Sequence, residues 1–276
     1  MCRLIEFINE KLFGAKPKLP VVGPRTINDP MTFIVQARPD GSLMTVHDIL
    51  LERRHDWPLP RGWEASESVL MDDGSVLQTF DFLAVEHDPG DGGQLLRIGT
   101  DGFVRGVATR DGGEPYMQFF VGQKNGGTGW IFFGIDAPTG RWRELVATLA
   151  KSNWSDAKPP LGKAFTRYRL EPVSFPYSFG KGVAELRVST VISEHYDGET
   201  IAGSQALERS YFAKGFGLVR WEAWGRQPTT LEDLDEGERY HKVAYSEAPS
   251  PGWHLRDVRT YTNVVPCAPM AVPVMS

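Results

Sequence analysis

With 276 residues, the chain has room for one large β domain or two modest domains, so core size does not limit the fold. Hydrophobic residues make up 41% and charged residues 24%, ordinary globular proportions that exclude a fibrous or disordered class. The net charge of −5 comes from acidic and basic residues in short alternation; no run of Lys and Arg could track a phosphate backbone, which argues against a nucleic-acid partner, and no stretch reaches the roughly 18 apolar residues of a membrane span.

Leu4, Ile5, Phe7, Ile8 and Leu12 fall at helical spacing and predict a short amphipathic helix over 3–13. Arg3, Glu6, Glu10 and Lys11 do not fit the apolar core of a secretory signal. Pro17, Pro20, Pro24 and Pro30 then predict an extended arm over 14–30. An arm without a core of its own suits wrapping its domain or gripping a second copy. Residues 1–30 are therefore set apart from a β domain over 31–276, and a homo-oligomer through the arm is one expectation.

From Met31 onward, β-rich runs at 32–37, 68–71, 76–85, 95–98, 103–108, 116–121 and 130–135 alternate with turn signals such as Asp72-Asp73-Gly74 and Asn125-Gly126-Gly127. This reads as a meander. Helical faces are predicted at 46–50 after Thr45, at 141–151 from Trp142, Leu145, Val146 and Leu149, and at 230–236 after a Thr-x-x-Asp cap. Beyond Pro159-Pro160 the strands lengthen. The run 184–196 alternates strongly, 205–213 and 218–224 are joined as a hairpin by Lys214-Gly215-Phe216-Gly217, and 240–246 and 255–265 complete the sheet before a proline-rich tail. Helices this few do not make a βαβ series, so the expected fold is a mainly β, antiparallel β-sandwich or jelly roll with two or three short helices.

Motifs for several chemistries are missing. No phosphate loop, no G-x-S-x-G elbow and no H-E-x-x-H spacing occurs, so neither a nucleotide cofactor nor a local metal motif is expected. The acidic stretch Glu86-His87-Asp88-Pro89-Gly90-Asp91 departs from the calcium-loop pattern and reads as a turn. Cys2 and Cys267 lie near opposite ends of the chain, and two free thiols in a reducing compartment are their expected state.

The late sheet invites the functional reading. In 218–224, alternation places Arg220, Glu222 and Trp224 on one face and Val219, Trp221 and Ala223 on the other. In 184–196 it places Glu185, Arg187 and His195 opposite Ala184, Leu186, Val188 and Ile192. If the polar sides share a solvent-facing surface, an arginine, a carboxylate and an indole are the groups that grip a sugar. Eight tryptophans also suit a groove or an interface. The expectation is a carbohydrate-active protein that binds or cleaves an oligosaccharide or polysaccharide. If catalytic, Glu222 or Glu185 supplies the carboxylate, His195 or Tyr211 moves a proton, and Arg187 or Arg220 neutralises a uronate, with Trp224 and Glu185 holding substrate. The rival readings are a non-enzymatic subunit of a virus-like or surface assembly, held by the arm, and a carrier of lipophilic ligands in a curved sheet.

Overall fold

Alternating apolar and polar residues pair into strands wherever a turn brings the next run alongside. A computed structural model describes residues 29–37, 42–45, 63–80, 93–111, 114–116, 126–150, 161–179, 182–228 and 247–263. It contains a short helix, α1 (Met31–Ile34), and twelve strands: β1 (Trp63–Leu70), β2 (Val76–Phe80), β3 (Gly93–Ile98), β4 (Phe103–Asp111), β5 (Glu114–Tyr116), β6 (Trp130–Gly134), β7 (Arg143–Ala150), β8 (Leu161–Phe179), β9 (Gly182–Tyr196), β10 (Ala206–Ala213), β11 (Gly217–Gly225) and β12 (His254–Asn263). The fold is mainly β.

Two antiparallel sheets carry the architecture. One runs β5-β4-β3-β2-β1 and the other β12-β11-β10-β9-β8-β7. They join along a parallel seam in which Trp63 to Ser66 of β1 pair with Thr260 to Asn263 of β12. On the far side, β6 pairs with β4, and the residues leading into β6 reach the edge of β7 through Gly129 N–H to the Thr148 carbonyl at 3.1 Å and through bonds between Thr128 and Thr148. Strands within each sheet follow chain order, so the interleaved order of a jelly roll is not found among the described strands. No helix among the described residues is long and apolar enough to cross a membrane.

The main core lies between the sheets. Val76, Leu96 and Val104 from the first sheet meet Tyr168, Val191, Phe212 and Leu218 from the second, with Phe33 of α1 and Phe132 and Phe133 of β6 between them. Phe133 packs edge-on to Phe33 and tilted against Phe212, with centroids 6.4 and 5.4 Å away.

Three local expectations change. The run 32–37 begins as helix: Pro30 starts the turn, the Thr32 N–H and hydroxyl both bond the Asp29 carbonyl, and extended backbone resumes only at Val35. The helix expected at 141–151 is strand β7, paired residue by residue with β8 from Arg143↔Tyr168 to Ala150↔Leu161. Its Leu145, Ala147 and Leu149 enter the core by period two, so cross-strand pairing overrides an apolar spacing that also fits a helix. Strand β8 itself carries Pro172 and Pro176, and both lie beyond Tyr168, where β7 no longer covers that edge. The β10–β11 hairpin follows expectation, with Gly215 and Gly217 at φ +81° and +73°, and a Cβ on Gly217 would collide with the Ser68 hydroxyl. The helices at 3–13, 46–50 and 230–236, the arm up to residue 28, the strand at 240–246, the acidic turn, both cysteines and the tail lie outside the described residues.

Where β6 meets β9, a bulge turns two carbonyls the same way. Val104 pairs with Phe133 and Arg105 with Ile131, leaving Phe132 as the extra residue. The Phe132 carbonyl accepts from the Ser193 hydroxyl, and the Ile131 carbonyl lies 3.0 Å from His195 Nε2, which places the ring proton on that nitrogen. Burial drives the His195 pKa down to about 4 despite the Ile131 bond. The folded chain therefore binds fewer protons than the unfolded chain below pH 6.5. Stability associated with this group is complete above 6.5 and is lost progressively towards 4. Urea unfolding at pH 5 should show a deficit of about 2 kcal/mol relative to pH 7.5 that His195→Gln removes; equal pH slopes for parent and variant would contradict it.

Candidate binding site

On the outer side of the second sheet, register brings charges into line. Arg167 of β8 is directly opposite Glu194 of β9, Glu194 is opposite Arg209 of β10, and Arg209 is opposite Glu222 of β11. Alternation sends all four side chains to the same face, and opposite charges facing one another attract at short range. Arg167 donates from Nε to Glu194 Oε2 at 2.5 Å. Arg209 donates from Nε and Nη2 to Glu194 Oε1 at 2.9 and 2.7 Å, and from Nη1 to Glu222 Oε2 at 3.1 Å. Arg220, two residues before Glu222, donates from Nε to Glu222 Oε1 at 2.6 Å.

This ladder is buried, not solvent-facing. Glu194 and Glu222 are both 0% exposed, so their charge survives only because every oxygen is used. Glu194 also accepts from the Tyr196 hydroxyl at 2.6 Å, and Glu222 from the Trp224 indole N–H at 2.8 Å. Burial pushes the Glu194 carboxyl up, but Arg209 and Arg167 outweigh it and hold its pKa below the usual value. Burial raises the Tyr196 and Tyr211 hydroxyls, with the Glu194 and Glu222 charges adding to the effect. Trp224, Leu255, Val258, Trp253 and Tyr196 form the apolar cluster that closes this end of the face.

The other end of the ladder opens into a cleft. It has a volume of about 730 Å3 and is lined by Trp142, Arg167, Arg169, Glu171 and Tyr211, with 247–249 at its rim. The guanidiniums of Arg167 and Arg169 each lie 4.3 Å from the Trp142 ring centre, within cation–π range. Arg169 donates to Glu171 at 2.8 Å. Arg209 reaches the rim from below, through Nη1 to the Glu247 carbonyl at 2.8 Å.

The residues singled out in the sequence divide between two faces. Tyr211, Arg220, Glu222 and Trp224 share the outer face, but Trp224 is 4% exposed and belongs to a core cluster, and Glu222 has no free oxygen. His195 lies on the inner face against Trp130 and Phe132. Arg187 is exposed further along β9, opposite Ser174, and Glu185 is opposite Pro176. The polar side of 184–196 therefore does not join Arg220 and Glu222 on one surface: residues 190–196 are buried on both faces. Trp221, expected in the core, is half-buried against it. Sequence reading missed Trp142, Arg167, Arg169, Glu194 and Arg209, although charged positions 167, 169 and 171 alternate with Tyr168 and Leu170. Among the described residues no cluster of His, Cys, Asp and Glu could hold a metal ion. Comparison with family models, characterised proteins and solved structures finds no match to this chain.

Removing one member strands the rest. Arg209→Met leaves Glu194 and Glu222 short of a buried cation and should cost about 3–5 kcal/mol in urea unfolding; a loss under about 1 kcal/mol would show that the ladder is hydrated. Trp224→Ala should cost about 3–5 kcal/mol for the same reason that any buried indole does, and a stability unchanged from the parent would return Trp224 to the surface.

Proposed function

We propose that the chain is a carbohydrate-binding protein whose ligand occupies the cleft beside Trp142, Arg167 and Arg169. The observation that carries this reading is a pair of guanidiniums stacked on one indole in the lining of a cleft of about 730 Å3, a size within the range of about 300–1,000 Å3 for small-ligand sites. A sugar donates and accepts hydrogen bonds around its whole ring. Arg167 and Arg169 offer donors, and Glu171 and Ser174 in the same lining offer acceptors. A lipophilic ligand would strip these charges of water without replacing the bonds. The cleft reaches solvent past Arg169 and Glu171, both partly exposed, which leaves room for a longer chain to continue beyond it.

Binding is favoured over bond cleavage because Glu194 and Glu222 already have both oxygens occupied. A buried carboxylate with both oxygens held by three or four donors is poorly placed to serve a leaving group or a water.

Calorimetric titration against neutral and acidic oligosaccharides tests the reading. The parent should bind at least one, and Trp142→Ala should weaken that binding by about tenfold or more, since the indole holds both guanidiniums in place. A parent protein that binds none of them would overturn it.

A further inference from the structure

Arg167 is 9% exposed, yet it is incompletely used. Its Nε is committed to Glu194, and among the described residues neither terminal nitrogen has a hydrogen-bond partner, although the side chain lines the cleft and these atoms are not sealed from solvent. Glu194 cannot turn to fill them, because its two oxygens are held by Tyr196 and by Arg209. Glu144 is the register partner of Arg167 on β7, but it is exposed and does not line the cleft. The guanidinium plane is held by Trp142 at 4.3 Å and Tyr196 at 5.8 Å. Next to it, Arg169 Nε is buried without a partner.

Two terminal nitrogens on one fixed plane present parallel N–H groups at the spacing of carboxylate oxygens. A neutral hydroxyl fills one such donor; a carboxylate fills two, with charge-assisted bonds about twice as strong. We infer that the cleft selects a sugar bearing a carboxylate, a uronate, which the free edge of Arg167 grips in bidentate fashion. The inference rests on the carbohydrate reading and adds the class of sugar.

The test uses the full chain at pH 7 in low salt, titrated with oligomers of galacturonate, glucuronate and mannuronate, with their methyl esters, and with acetate at matched carboxylate concentration. At least one acidic oligomer should bind about tenfold or more tighter than its ester, and acetate should show no measurable heat. Arg167→Gln should bring acid and ester to within about twofold, and Arg167→Lys, which keeps the charge but loses the fork, should lose most of the preference. If Arg167→Gln does not fold, the parent's acid-to-ester ratio and Arg167→Lys decide. Acid and ester bound equally by the parent would overturn the uronate inference and leave the carbohydrate reading standing. Binding of neither would overturn the uronate inference and leave the carbohydrate reading to the neutral oligosaccharides, while binding of acetate as tightly as the oligomers would overturn the carbohydrate reading itself.

Discussion

The cross-strand ladder Arg167–Glu194–Arg209–Glu222 is the constraint on which the second sheet depends. Each member sits on a different strand and faces the opposite charge. A slip of one residue would turn a charge inward towards Phe132 and Phe212, and a slip of two would set Arg167 against Ile192 or Tyr196. Either leaves a buried ion without its counterion, at a cost of several kcal/mol. Buried ion pairs add little net stability over well-packed apolar groups; here their effect falls on the competing registers.

The ladder ends differently on its two sides, and the cleft follows from that difference. At Glu222, Arg220 and the Trp224 indole complete the carboxylate, and Trp253 and Leu255 seal the face. At Arg167, Trp142 just before β7 stacks on the guanidinium, while Glu144, the register partner on β7, is exposed and makes no bond to it. An indole satisfies a guanidinium's face but not its N–H edge. The site is thus the unfinished terminus of a structural network, and its rigidity comes from the finished part.

Local pattern made much of the second sheet legible. Alternation put Arg220, Glu222 and Trp224 together and set His195 opposite Ile192, and Lys214-Gly215-Phe216-Gly217 marked the hairpin, but the bulge at Val219 moves that side chain to the side of Tyr211 and Ile192. Alternation conveys parity alone, however. It could not tell that Trp224 would be covered, because its cover comes from Trp253 and Leu255, remote in sequence, nor that Arg220 and Glu222 would be buried with it. Strand β8 was hidden by Pro172 and Pro176, which are tolerated only because β7 ends before them; with β8 unseen, Arg167 and Arg169 had no face to belong to. Strand β7 was hidden by an apolar spacing that fits both periods, which only its pairing with β8 resolves.

The parallel seam has a consequence for how the molecule assembles. Most other strand pairings among the described residues join strands that follow one another in the chain, so each meander can zip largely from its own hairpins. The seam instead joins Trp63 to Thr260, about two hundred residues apart, and must close a loop that contains β2 to β11. Contacts of such sequence separation form late and slowly. During synthesis, Ser68 and Leu70 on the far edge of β1 can already bond Gln36 and Met44, whereas residues 63–66 wait for β12 to emerge, and for that interval this stretch of edge is able to pair with another chain.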